Sequence, residues 1–310
     1  MKNNTNNCTK QFVALTLSLL GAWTSADATE NGVPTTTFGV YDFGAGMNPP
    51  PTANGTVGVR TGYYSARTLK DSRGNRSDED FSLDLLSIAL IYVRMTEHTL
   101  FGANYGFGAV LPFFKMDAEL KTQTSVGPMR LEADPFRMSD AIFIPLILQW
   151  NLSPNFFVNT SLGIIAPTGD YDKNRLVSPG LNHWTYSPTL NATYITDNGF
   201  EVSSSFQVDF STRNKATNYK NGIEYRHEFA AGQHIGPWTV GLGGFYYRQV
   251  SDDSAPNLKT GNRSGAFAIG PAIAYFEPGT PPISAHIYKE YDAQNRPEGY
   301  TFAVRVSQSF

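Results

Sequence analysis

The sequence has almost no cysteine: Cys8 is its only one, and it stands ahead of the first apolar run. With no second thiol, an internal disulfide is excluded as a source of stability, and so is a cysteine-based metal site. Long hydrophobic runs are equally scarce. Beyond residue 28 no stretch approaches the ~18 consecutive apolar residues of a membrane helix. The most apolar segment, Ile142–Trp150, is short and contains Pro145. Charge of one sign is missing as well: the formal net charge is -3, which offers no electrostatic footprint for nucleic acid. The five histidines, His98, His183, His227, His234 and His286, show no close ligand spacing and no H-E-x-x-H, so no metal site is expected. Gly102, Gly106 and Gly108 have no helix after them to cradle a phosphate, and no cofactor is implied.

What is present begins with a leader. Lys2 and Lys10 precede the apolar run Phe12 to Trp23, and Ala26-Asp27-Ala28 supplies small residues for cleavage. Residues 1–28 therefore read as a secretory signal, too short to span a bilayer and removed on export. Residues 29–55 are polar and rich in turn formers, with Pro49-Pro50-Pro51 favouring an extended chain. They read as an arm outside the barrel wall, on the periplasmic side or in the lumen.

From residue 56 to 310 the dominant signal is alternation. In Gly299–Phe310, Tyr300, Phe302, Val304, Val306 and Phe310 share one face, against Thr301, Ala303, Arg305, Ser307 and Ser309 on the other. Period two with one apolar face means a β-strand between an apolar and a polar phase. A soluble sandwich satisfies that pattern too, and a mean hydropathy of -0.28 is compatible with it. A membrane barrel, however, hides its hydrophobicity in the same way.

Segments long enough to span fall at Val57–Arg67, Phe81–Thr96, Leu100–Phe113, Ser139–Trp150, Asn155–Ala166 and Trp184–Ile195. They continue at Phe200–Phe210, Asn218–Phe229, Pro237–Gln249, Arg263–Phe276, Ile283–Asp292 and Gly299–Phe310. Longer connections follow the odd strands and shorter ones the even strands almost throughout, although Ser211–Thr217 and Ala293–Glu298 are no longer than the longest turns; that is the asymmetry of external loops and periplasmic turns. The 21 Phe and 16 Tyr suit aromatic girdles at the lipid boundary. The expected fold is all-β: a transmembrane, antiparallel, up-and-down β-barrel of about 12 strands in the bacterial outer membrane, with both termini periplasmic.

From Asp42-Phe-Gly-Ala-Gly-Met-Asn-Pro-Pro-Pro51 onward the chain resembles the outer-membrane barrel family named for the meta-pathway of phenol degradation. The landmarks are Phe101-Gly-Ala-Asn-Tyr-Gly-Phe-Gly108, Ala166-Pro-Thr-Gly-Asp-Tyr-Asp172, Asn218-Tyr-Lys-Asn-Gly222, Tyr247-Arg-Gln-Val-Ser-Asp-Asp253, Gly270-Pro271 and Asn295-Arg-Pro-Glu-Gly299. The resemblance implies an outer-membrane protein that passes hydrophobic or aromatic compounds and brings no catalytic motif.

On the barrel reading, Arg60, Asn104, Gln149, Asn191, Gln207, Asp209, Glu224, Arg226, Gln249 and Arg305 project into the lumen. They either select solutes or form a packed polar network, with Glu224 and Arg226 pairing alongside Lys220 and Asp209. The longest connection, Phe114–Met138, offers Met116, Met129, Leu131, Phe136 and Met138 as a constriction or capture site. Asp170 with Asp172, and Asp252 with Asp253, lack a spaced calcium-ligand set and read first as turn chemistry. The expected function is passive uptake of small hydrophobic, aromatic compounds, with membrane lipid and such solutes as partners. The alternatives are a plugged barrel that binds or anchors at the cell surface, and an outer-membrane enzyme. Against the enzyme, neither His183-Trp184-Thr185 nor His286-Ile287-Tyr288 matches the His-x-Ser-Asn-Gly run of the outer-membrane phospholipases.

Overall fold

The computed structural model describes residues 29–310 apart from 33, 125, 126, 257 and 259–261, so the expected leader, 1–28, lies outside the described residues. Its strands are β1 (Thr56–Lys70), β2 (Asp80–Leu100), β3 (Ala103–Thr124), β4 (Gly127–Ala133), β5 (Phe136–Met138), β6 (Ile142–Ser153) and β7 (Phe156–Ile165). They continue with β8 (Thr185–Ile195), β9 (Phe200–Ser211), β10 (Glu224–Ile235), β11 (Trp238–Gln249), β12 (Gly265–Tyr275), β13 (Ile283–Gln294) and β14 (Arg296–Ser309). Strands β1, β2, β3 and β6 to β14 each pair antiparallel with the next, and β14 returns to β1 with Ser309 opposite Thr56. Twelve strands thus close a barrel. Hydrocarbon offers no partner for an unpaired N–H or C=O, and closure leaves no edge.

The side chains sort as the alternation demands. In β9, Glu201, Ser203, Ser205, Gln207, Asp209 and Ser211 are buried inside, while Phe200, Val202, Phe206 and Phe210 are exposed on the outer wall. In β14, Thr301 and Ala303 are buried, and Tyr300 and Phe302 are exposed. The exposed aromatics form two belts. Phe101, Tyr194, Phe200, Trp238 and Phe310 ring the rim of short turns, and Tyr63, Tyr186, Tyr246, Tyr291 and Tyr300 ring the opposite side. Leu90, Leu111, Leu190, Val240, Leu242 and Ile287 lie between them. An apolar band between aromatic girdles is what a lipid-facing wall requires.

The short-turn rim is built economically. Phe101 and Gly102, both at positive φ, join β2 to β3, and Gly236-Pro237 joins β10 to β11. The long-loop rim differs from the sequence reading in three places. Asn218–Phe229 shifts to Glu224–Ile235, because Asn218 adopts φ 59° and Lys220 bridges to Ser254 in a neighbouring loop. Alternation continues through Tyr219 and Ile223, so periodicity alone could not place that end. Phe114–Met138 is no loop: β3 runs on to Thr124 and turns back as β4, a hairpin whose charged face pairs Lys121 with Asp80 and Arg130 with Glu119. Between β13 and β14 only Asn295 remains, at φ 51°. The two ends of the barrel sheet share the short-turn rim, where Asn54 N–H donates to the Phe310 carbonyl. From that rim the arm carries Thr29 through the lumen to the long loops, where its N–H meets Asp253.

Candidate functional site

The arm, residues 29–55, threads the barrel from one rim to the other. Among the described residues it contributes no strand to the sheet and only a 3-10 turn at Glu30–Gly32. A buried segment without a ladder must still satisfy its N–H and C=O groups. Here the inward side chains of the wall do so. Glu228 accepts from three successive amides, Gly39 at 2.9 Å, Val40 at 2.9 Å and Tyr41 at 2.7 Å. Glu224 accepts from Thr35 N–H and from its hydroxyl, Glu201 from Gly44, Thr193 from Gly46, and Gln149 from Asn48. The carbonyls are met in turn: Arg60 donates to Phe38 and Gly39, Arg226 to Thr37, Arg305 to Val40, and Asn159 to Ala45.

Two side chains of the arm fix its position. Phe38 stacks on Phe245 with centroids 4.4 Å apart, and the guanidiniums of Arg226 and Arg296 lie 4.9 and 4.8 Å from its ring centre. Asp42 accepts the Tyr288 hydroxyl at 2.6 Å and faces His286 Nδ1 at 3.0 Å. Two further buried pairs lie beside the arm, Arg226 with Asp209 at 3.3 Å and Arg296 with Glu290 at 2.7 Å. An isolated buried charge costs several kcal/mol, so this network is as much a condition of folding as a site.

The arm lies against the polar part of the wall and leaves the rest of the lumen open. The cavity that remains, about 260 Å³, is backed by Leu83, Leu85, Ala89 and Ile91 of β2, Val110, Pro112, Phe114 and Met116 of β3, Ile142 and Ile144 of β6, and Ile165 of β7. Thr36, Phe38, Val40 and Tyr41 of the arm, with Arg60, Gln207, Arg226 and Arg296, form its other side. In β2 and β3 both faces are therefore apolar, the outer one because it meets lipid and the inner one because it bounds this space. An apolar cavity of about 150 Å³ suffices to hold benzene.

Of the residues expected in the lumen, Arg60, Gln149, Gln207, Asp209, Glu224, Arg226 and Arg305 all touch the arm. Asn191 donates to Asn159, which itself holds the arm, and Gln249 donates to Asp253 at the long-loop rim. Asn104 is half-buried, its Cα opposite that of Gln149. The pairing sketched around Glu224 is corrected: Arg226 pairs with Asp209, Glu224 binds Thr35 and the Tyr247 hydroxyl, and Lys220 belongs to a loop.

Of the expected constriction, only Met116 lines the cavity, fully buried beside Leu83 and Val177. Leu131 stands on the hairpin, Phe136 on β5 opposite Lys115, Met138 is half-buried opposite Phe113, and the side chain of Met129 lies outside the described residues. The expected loop is instead made largely of strands that continue the sheet at the long-loop rim. Glu228, Glu201, Glu290 and Arg296 are buried lumen positions that the sequence reading did not place among the site residues, and His286, weighed there only as a metal or catalytic residue, faces Asp42. Glu228 continues the Glu224–Arg226 face at the same two-residue step, which was signal enough to include it.

No curated protein matches the chain. Among solved structures, an outer membrane channel from Pseudomonas putida F1 superposes with a TM-score of 0.70 at 14% identity, covering 85% of this chain and 97% of that one. The β domain of the Bordetella autotransporter BrkA gives a TM-score of 0.48 at 13% identity, with 83% and 100% covered. At 14% identity the likeness to the Pseudomonas channel concerns the fold alone, a closed barrel of outer-membrane type; it agrees with the girdled wall, which belongs in the bacterial outer membrane. Residues 66–306, most of the barrel, match the family described as "Putative MetA-pathway of phenol degradation", and the chain belongs to that family.

Proposed function

We propose that the protein is a passive outer-membrane channel for small hydrophobic solutes, aromatic compounds above all, with its long loops outside the cell and its short turns in the periplasm. The observation that carries this reading is the division of the lumen. The polar part is filled by the arm, which would impede water and ions, and the open part is lined by aliphatic and aromatic side chains. A ring-sized apolar molecule gains by leaving water for such a surface at about 25 cal/mol per Å² of area buried, whereas an ion would lose its hydration against a mostly apolar wall. The hydroxyl, amide and guanidinium groups facing the cavity from Thr36, Gln207 and Arg226 can orient a solute that carries one polar substituent. The family name supports an aromatic cargo.

The test is uptake of radiolabelled toluene and phenol by cells with and without the gene, together with ion conductance of the purified protein in planar bilayers. Uptake should rise several-fold while conductance stays small. Large, unselective conductance would identify a general porin instead. A filled lumen also fits a barrel that only binds or anchors at the cell surface, and that reading stands if uptake is indifferent to the protein.

A further inference from the structure

Thr29 sits against a buried carboxylate that has no cationic partner among the described residues. The Thr29 N–H donates to Asp253 Oδ2 at 2.7 Å. The same carboxylate accepts the Tyr219 hydroxyl at 2.5 Å, the Gly222 N–H at 2.6 Å, the Asn262 amide at 3.3 Å and the Gln249 amide. All five donors are neutral, and Asp253 is 7% exposed. Among the described residues no cation forms an ion pair with it; the nearby Arg263 is engaged by Asp252. Burial consequently holds the Asp253 carboxyl above the usual range in spite of its donors.

Two further observations concern Thr29 itself. Its φ is 68°, and for a β-branched residue the left-handed region is a genuine outlier. It also directly follows Ala26-Asp27-Ala28, the small-residue pattern of a leader cleavage site.

We propose that cleavage between Ala28 and Thr29 creates the anchor of the arm: the new α-ammonium of Thr29 docks on Asp253 and locks the arm at the long-loop rim. A leader peptidase adds water across the amide, the C–N bond breaks, the carboxylate leaves with Ala28, and the amine on Thr29 takes up a proton. The neutral N–H at 2.7 Å then becomes a charge-assisted donor at the distance typical of one. The strained torsion disappears, because φ has no meaning without a preceding carbonyl. Glu30 completes the clamp. Its N–H donates to Asn221, and its carboxylate accepts from Tyr171 and Asn214, so the first two residues of the mature chain tie three long loops together. The inference depends on the leader reading of residues 1–28 and is independent of which solute passes.

The experiment uses full-length protein exported and isolated from outer membranes. Mass spectrometry should give Thr29 as the amino-terminus. An amine-selective acylating reagent is then applied near neutral pH, and modification of the α-amine is followed in the folded and unfolded states. A free α-amine has a pKa of about 7.7–8.0, and a buried pair with a carboxylate raises it, so labelling of the folded barrel should be slower by about tenfold or more. Asp253→Asn should bring the rate close to that of unfolded chain, while Asp252→Asn should leave protection intact. Should Asp253→Asn fail to assemble, a chain lengthened by one serine between Ala28 and Thr29 gives the same readout, with protection lost. An amino-terminus elsewhere overturns the proposal, as does equal labelling of folded and unfolded wild type, or protection that survives the inserted serine.

Discussion

Glu228 binds the amides of Gly39, Val40 and Tyr41 with two oxygens, and a glutamine in its place has a single acceptor oxygen to offer them. At about 1.5–3 kcal/mol for a hydrogen bond to a charged group, losing even one raises the displaced population of the arm by about ten- to a hundredfold. Glu228→Gln should therefore speed proteolysis of the arm in detergent-solubilised barrels and raise ion conductance, both read against wild type. Gly46 tests the same attachment from the other partner. A Cβ there would overlap the backbone of Thr193 and Phe157, which cannot yield as a side-chain tip can. Gly46→Ala should loosen the end of the arm near the short turns with the same two readouts, leaving the gel mobility of the unboiled barrel unchanged. At this scale the sequence was informative about direction but not about partner. The inward row Glu224, Arg226, Glu228 can be read from a two-residue step. That its members hold backbone groups of residues 35–41 cannot, since the arm carries no periodicity to declare its path.

Strand β2 exposes the two solvents of the barrel to neighbouring residues. Leu90 lies in the outer apolar band, and Ala89 looks into the cavity. Leu90→Arg should cost about 2–4 kcal/mol near the middle of the membrane, seen as a lower midpoint in urea-induced unfolding from lipid vesicles. Ala89→Trp should fold like wild type, because its bulk enters open space, and should abolish uptake of labelled toluene. Finding the opposite assignment of effects would reverse the inside and outside of the wall. Most strand cores were legible because lipid on one side and polar lumen on the other impose alternation, as in Phe200–Ser211. Ends were not: alternation runs on through Tyr219 and Ile223, which precede β10, and nothing in the residues after Phe113 marks that β3 continues to Thr124. β2 itself is a partial exception, since its inner face is as apolar as its outer one and the contrast fades.

For the molecule as a whole, the orientation can be measured with single cysteines placed in a Cys8→Ser background, since Cys8 is the one native thiol. Ser72→Cys in the loop after β1 should react on intact cells with a membrane-impermeant maleimide, while Asp197→Cys in the turn after β8 should react only once the outer membrane is permeabilised. The reverse pattern would invert the proposed topology. Closure at twelve strands was visible in the count of alternating segments. The division of the interior was not, since it depends on where the arm lies across the barrel rather than on any local pattern.

That arm also constrains the order of events during assembly. It is joined to the first strand at one mouth, runs the full depth of the barrel, and is fastened among the loops at the other mouth. The seam between the first and last strands must either zip shut around a chain already laid in place, or seal first and leave the free end to snake upward through a narrowing bore. In the first case the carboxylates and guanidiniums of the interior are never left facing one another with nothing between them, and the plug serves as the mandrel on which the cylinder is wound.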